Sequence, residues 1–227
     1  MTAAISWSGG KDGWLALLRA RAAGLDVRYA LTMFDDSGER SRSHAVPPDL
    51  IAVQLRALGL APVSARASWA GYEDALVAAL RGLAAHGAEQ VIFGDIDIAA
   101  HRAFEERVCA AAGLEAVLPL WQEERRTLVA EMFTRRLKAI VVTTADRYLT
   151  GDRCGRSFDP AFVAGLPADV DCCGENGEFH TFVVGGEGFA AALPVMAGPT
   201  YARPASFEGE TRGYHFARLR LLETAPA

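Results

Sequence analysis

Five residues near the N-terminus, Ser8-Gly9-Gly10-Lys11-Asp12, constrain this chain more than any other segment. They follow a short apolar run, Ala3-Ala4-Ile5-Ser6-Trp7, that reads as a buried strand. They precede Trp14, Leu17 and Leu18, which share one helical face running to Gly24. A glycine-rich turn between a strand and a helix has a chemical consequence. Two glycines let the backbone approach an anion, and the helix start adds the positive end of its dipole. Ser8 supplies a hydroxyl, Lys11 a positive charge, and Asp12 a carboxylate suited to Mg²⁺. The spacing is too short for Gly-x-x-x-x-Gly-Lys-Ser/Thr, and it is not Gly-x-Gly-x-x-Gly. An ordinary glycine turn is the bland alternative. Strand, loop chemistry and helix together argue against it.

Downstream, the chain alternates strand and helix. Residues 27–34, 62–67, 91–93, 117–120 and 139–144 read as further strands. Between them, apolar residues recur at helical spacing: Ile51, Leu55 and Leu58; then Tyr72, Leu76, Leu80 and Leu83; then Phe104, Val108 and Ala111, capped by Gly113; then Leu128, Met132 and Phe133. Six strands alternating with helices predict an α/β fold with a doubly wound parallel sheet. After about residue 147 the rhythm changes. The segment 148–180 is rich in Gly, Asp and Cys, and strands are expected again at 181–184 and 215–222. The expected division is a nucleotide-binding domain over 1–147 and a smaller α+β, substrate-binding unit over 148–227.

Several function classes are disfavoured. A net charge of −5 gives no overall attraction to nucleic acid or anionic membrane, although a local basic patch stays open. No run reaches the ~18–20 apolar residues of a membrane span. The N-terminus lacks a signal-peptide pattern, so a cytoplasmic protein is expected. Cys109, Cys154, Cys172 and Cys173 have no metal-ligand spacing, so free thiols and no structural zinc are expected. A redox or sulfur-carrying pair near residue 172 is the alternative.

Other residues carry candidate chemistry. Gly94-Asp95 ends a strand, where doubly wound sheets place ligands; Asp95 suits Mg²⁺ or a ribose hydroxyl, or else caps a helix. Glu175 and Glu178 flank Gly177 in a turn-like stretch, where they suit a metal, ammonia or an acceptor, or form a solvated Asn-Gly turn. His44 lies in a polar loop, facing the nucleotide, the acceptor or solvent. Cys173 is expected to pack, Arg125 and Arg126 to face solvent, and Trp14, Trp69 and Trp121 to form core or pocket wall.

Ser8-Gly9-Gly10-Lys11-Asp12 resembles the pyrophosphate-binding loop of the PP-loop ATP pyrophosphatases, a HUP-like fold. His44-Ala45-Val46-Pro47, Gly94-Asp95-Ile96 with Arg102, Glu106 and Cys109, Leu118-Pro119-Leu120-Trp121, and Cys173-Gly174-Glu175-Asn176-Gly177-Glu178-Phe179-His180-Thr181 narrow the resemblance. Together they are similar to the diphthine–ammonia ligase family, in its bacterial-type form, over roughly residues 4–185. The chain departs from it at Gly13, where the family usually has Ser, at Ala100-His101-Arg102, and at His180.

The resemblance implies cleavage of ATP to AMP and pyrophosphate, with Mg²⁺ on Asp12, to adenylate a carboxylate that then takes ammonia. The carboxylate belongs to a small molecule or a protein side chain. On this view Ser8, Gly9, Gly10, Lys11, Asp12, Gly13, His44, Gly94 and Asp95 bind the nucleotide. Lys11, Asp12, Glu175 and Glu178 serve catalysis. A homodimer is compatible; nucleic acid and membrane partners are not expected. Two rivals stay open: a tRNA sulfur-transfer enzyme using Cys154 with Cys172 or Cys173, and a nucleotide-binding regulator without turnover, for which Gly13 speaks.

Overall fold

The computed structural model describes residues 1–42, 44–207 and 210–222. Five strands form a parallel sheet in the order β3-β2-β1-β4-β5: β1 Thr2–Ser6, β2 Asp26–Phe34, β3 Ala61–Arg66, β4 Gln90–Ile92 and β5 Glu115–Val117. The helices between them are α1 Lys11–Ala22, α2 Pro48–Ala57, α3 Tyr72–Ala85 and α4 Ala99–Ala112, followed by α5 Arg125–Thr134.

Strand faces explain the layering. Along β1, Ala3 and Ile5 pack with Trp14 and Leu15 of α1, Leu55 of α2 and Met132 of α5. Ala4, pointing the other way, packs with Leu76 and Leu80 of α3 and Val108 of α4. A parallel strand buried on both faces must be apolar throughout, which is why β1 reads as a continuous hydrophobic run. The chain winds outward from β1 to β3, then returns to start again at β4. The switch point therefore lies between β1 and β4, where their carboxyl ends open a crevice.

The remaining strands form an antiparallel sheet in the order β7-β6-β9-β8: β6 Lys138–Ala145, β7 Phe179–Gly185, β8 Val195–Phe207 and β9 Glu210–Leu221. A short helix, α6 Pro160–Ala164, packs beneath it. The segment 139–144 was expected as a sixth parallel strand, and this is corrected: it pairs antiparallel with β7 and β9. A strand with seven consecutive buried residues carries the same apolar signature in either kind of sheet. β8 was not expected, because Pro199 and Pro204 argue against a strand. It is an edge strand with a register shift between Ala197 and Thr200, the setting in which proline is tolerated.

The two sheets meet at the glycine loop. Val183 of β7 donates its N–H to the Gly9 carbonyl at 2.9 Å, and the Thr181 hydroxyl accepts the Lys11 N–H at 3.1 Å. No described helix is long and apolar enough to cross a membrane.

Candidate active site

The loop from β1 to α1 takes its shape from contacts that only glycine permits. Gly9 has φ +87, and a Cβ there would meet Phe182 at 2.9 Å. A Cβ at Gly10 would stand 2.7 Å from His44 Cε1. Behind the loop, the buried Gln54 of α2 accepts from Trp7 Nε1 at 2.8 Å and donates to the carbonyls of Gly9 at 3.1 Å and Val183 at 2.6 Å. Sequence reading missed Gln54. A glutamine inside an apolar helical face was its signal, because a buried amide must satisfy its hydrogen bonds.

The loop, the end of β4 and residues 173–181 enclose a crevice of about 400 Å³, lined among others by Ser8, Lys11, Asp12, Asp95, Glu175 and His180. Gly94 allows this closeness. A Cβ there would lie 2.8 Å from the Gly13 nitrogen, so Gly94 is a spacer between β4 and α1. Gly13 itself has room, its nearest neighbour to an added Cβ being 3.8 Å away.

Lys11 is buried, and its ammonium donates to both Asp12 oxygens, at 3.0 and 2.7 Å, and to the Cys173 carbonyl. The rings of Phe158 and Phe179 flank it at 5.7 and 5.6 Å. Burial alone would lower its pKa, but Asp12 and its other acidic neighbours outweigh that and raise it, so the charge is retained. Lys11 was expected to supply positive charge to the nucleotide site. Here its donors are committed to Asp12 and the 173 loop, so it ties the glycine loop to that loop.

Asp95 accepts from His101 Nδ1 at 2.7 Å. Burial pushes its pKa up, but hydrogen bonds from His101 and Glu105 win, so it is held below its usual range. Glu105, buried and hydrogen-bonded to Asp95, is pushed up to about 11 by burial and then by that neighbour. It is therefore a neutral acid, and its Oε2 is buried without a partner among the described residues. Glu106, singled out in the sequence, is instead exposed and pairs with Arg102 at 2.7 Å.

Glu175 accepts from the Ile96 N–H at 3.0 Å. Burial first, then the Asp12 charge, lifts its carboxyl to about 7. Glu178 behaves differently. Its carboxylate accepts from Asp171 N at 3.2 Å, Asn176 N at 2.9 Å and Asn176 Nδ2 at 3.0 Å, and it does not line the crevice. The expected catalytic role of Glu178 is corrected on that geometry: it braces the loop from within. Asp171 does the same from the other side, accepting from Cys173 N at 3.1 Å and Glu175 N at 2.8 Å. Arg125, expected in solvent, pairs with Asp97 at 2.6 Å and Asp171 at 2.8 Å, fastening the two loops together.

His44 donates from Nδ1 to the Thr181 carbonyl at 2.9 Å and stacks on His180, ring centroids 4.6 Å apart. Burial drives its pKa down to about 4, so it is neutral at pH 7. Among the thiols, Cys154 is buried and pushed up to about 12, and Cys173 is likewise raised, both chiefly by burial. Neither is a ready thiolate nucleophile. Asp171, Cys172 and Cys173 lie close enough to share an ion, with three ligand atoms against the four of a structural zinc site.

Residues 1–116, half of the chain, match the family model described as diphthamide synthase N-terminal domain. The chain belongs to the diphthamide synthase N-terminal domain family. A similar curated protein is the diphthine–ammonia ligase of Schizosaccharomyces pombe, 31% identical over 100 residues. That stretch is 42% of this chain and 16% of the relative's length. A solved structure, a predicted subunit of tRNA methyltransferase from Methanocaldococcus jannaschii, superposes with a TM-score of 0.45 and 14% identity, covering 82% of this chain and 98% of the other. The diphthamide synthase match takes in the glycine loop, His44, Gly94 and Asp95. Glu175, Glu178 and Thr181 lie beyond it.

Proposed function

We propose that this chain is an ATP-dependent, AMP-forming ligase that adenylates a carboxylate and transfers the acyl group to ammonia. The observation that carries this reading is the single crevice in which the glycine loop, Asp95 and Glu175 converge at the switch point between β1 and β4. On this reading the parallel sheet holds the nucleotide and the antiparallel sheet, which begins at β6, contributes to the acceptor side, with β7 bracing the glycine loop.

Asp12 and Asp95 bring carboxylate oxygens to one wall of the crevice, beside the glycine loop. This all-oxygen set suits Mg²⁺, which would supply charge neutralisation on the phosphates when bound. The acceptor carboxylate oxygen attacks the α-phosphorus, the bond to the β,γ-pyrophosphate breaks, and an acyl-adenylate results. The opening of α1 and the charge of Lys11 offset the negative charge that grows on the departing pyrophosphate. Ammonia then attacks the acyl carbon and AMP leaves. Glu175, with a carboxyl near neutrality, takes the proton that the nitrogen sheds. Neutral His44 holds the Thr181 carbonyl and thereby the wall opposite Gly10.

The test is product analysis with ATP, Mg²⁺, ammonium and a panel of carboxylates. AMP and pyrophosphate are expected; ADP and orthophosphate from an active preparation overturn the reading.

A further inference from the structure

Beside the crevice lies a second groove of about 630 Å³. The two share Ser41, Arg42, His101, Glu175 and His180, so they open into each other at the proposed general base. The groove's walls differ from the rest of the molecule. Four arginines, Arg40, Arg42, Arg203 and Arg212, face Asp35 and the shared Glu175, in a chain whose net charge is −5. Positive charge gathered against the overall balance focuses the field in a concave site.

Two of these arginines, Arg40 and Arg42, are held in place by aromatic rings. Arg42 lies over the Trp69 ring at 4.2 Å, and its Nε is buried without a partner. Arg40 lies over Tyr201 at 5.6 Å and donates to that hydroxyl at 3.1 Å. Stacking uses the flat face of a guanidinium and leaves N–H edges for carboxylate or phosphate. Among the described residues, Arg40, Arg42 and Arg203 make no ion pair. Arginines grouped without carboxylate partners repel one another, and a bound anion relieves that cost.

We propose that this groove is the acceptor site and that its acceptor is an acid bearing a second anionic group. This rests on the ligase reading. The reacting carboxylate enters at the junction beside Glu175 and His180, and the second anionic group sits among Arg40, Arg203 and Arg212. Trp69, Tyr214 and Phe216 flank the carbon skeleton between them. The arginine wall thereby selects against acids that carry a cationic tail.

The probes are glutarate, a dianion, and 4-(trimethylammonio)butyrate, of similar length with a cation in place of the second carboxylate. Calorimetric titration of the full chain should show glutarate binding at least tenfold more tightly. The exposed Arg203→Glu change should weaken glutarate about tenfold or more and steepen nothing else: the thermal shift given by ATP and Mg²⁺ stays as in the unchanged chain. Equal or reversed preference between the two acids overturns the proposal. So does no binding of glutarate, unchanged glutarate affinity in Arg203→Glu, or a short single-stranded RNA that displaces glutarate at lower concentration. AMP release separates the two readings. Glutarate binding with the expected preference, but ADP as the nucleotide product, sinks the ligase and keeps the groove. AMP release driven by the cationic acid and not by dianions keeps the ligase and sinks the groove assignment.

Discussion

The Glu175 carboxylate accepts a hydrogen bond from the Ile96 backbone N–H at 3.0 Å, so an acid from the second half of the chain is held against the end of β4. That contact favours the ionised form, while burial and Asp12 oppose it more strongly, leaving the carboxyl near 7. A base must lose its proton to act. The rate of amide formation, measured as kcat/KM, should therefore rise tenfold per pH unit below about pH 7 and level off above it. Glu175→Gln should abolish that inflection and lower the rate about a hundredfold or more, with the ATP-induced thermal shift kept. An unchanged pH profile in the variant would remove Glu175 from the chemistry.

Gln54→Leu should be among the most damaging single changes near the site. It leaves the Trp7 indole and the carbonyls of Gly9 and Val183 to compete for other partners. Losing a fully buried amide with three bonds costs roughly 2–4 kcal/mol. Denaturant titration reads the stability. The thermal shift on adding ATP should shrink as well, because Gln54 sets the position of Gly9.

The parallel sheet was legible because its central strands β1, β2 and β4 carry apolar runs and are separated by helices with their own period. β6 was misplaced because pairing partners are far apart in sequence: Thr144 pairs with both Phe179 and His215. The glycine loop announced itself through residue type, whereas nothing in the sequence signals that Gly94, which lines the crevice, is also a spacer for the Gly13 backbone. Glu175 and Glu178 were indistinguishable in sequence. Three residues apart in an aperiodic loop, they are separated only by the turn closed by Gly177 N–H to the Gly174 carbonyl, with φ +81 at Gly177. That turn sends one carboxylate to the crevice and the other into the loop. Glu105 carries no motif, and only its burial beside Asp95 gives it away.

The glycines at 13 and 94 should respond in opposite ways. Gly13→Ser places its Cβ in open contact and raises helix propensity in the first turn of α1, a gain of about 0.5 kcal/mol. Gly94→Ala drives a Cβ to 2.8 Å from the Gly13 nitrogen and should cost about 1–3 kcal/mol while weakening the ATP-induced thermal shift. If Gly13→Ser also raises AMP formation, the missing hydroxyl limits turnover. If Gly13→Ser destabilises the chain, the account of the loop as open at that position fails.

Glu105 ties stability to alkaline pH. Its carboxyl is raised from 4.5 to about 11 in the folded chain, chiefly by burial and then by Asp95. A raised pKa means that the folded state binds a proton the unfolded state has lost, so the contribution is fully present below about pH 4.5 and fades as pH rises toward 11. Glu175 shares this sign but only up to about 7; Asp12 shares it too, raised by burial against the pull of Lys11; and Asp95, being lowered, acts only in acid. The slope between pH 7.5 and 9.5, compared with that of a Glu105 variant, therefore isolates the share of Glu105. One proton corresponds to about 1.4 kcal/mol of lost stability per pH unit. Glu105→Gln mimics the neutral acid and removes the titration. Its stability should fall less steeply than that of the unchanged chain across this window, measured by denaturant titration at each pH. Parallel slopes would mean that Glu105 is ionised in the folded chain, and the hydrogen bond it gives to Asp95 would have to be withdrawn.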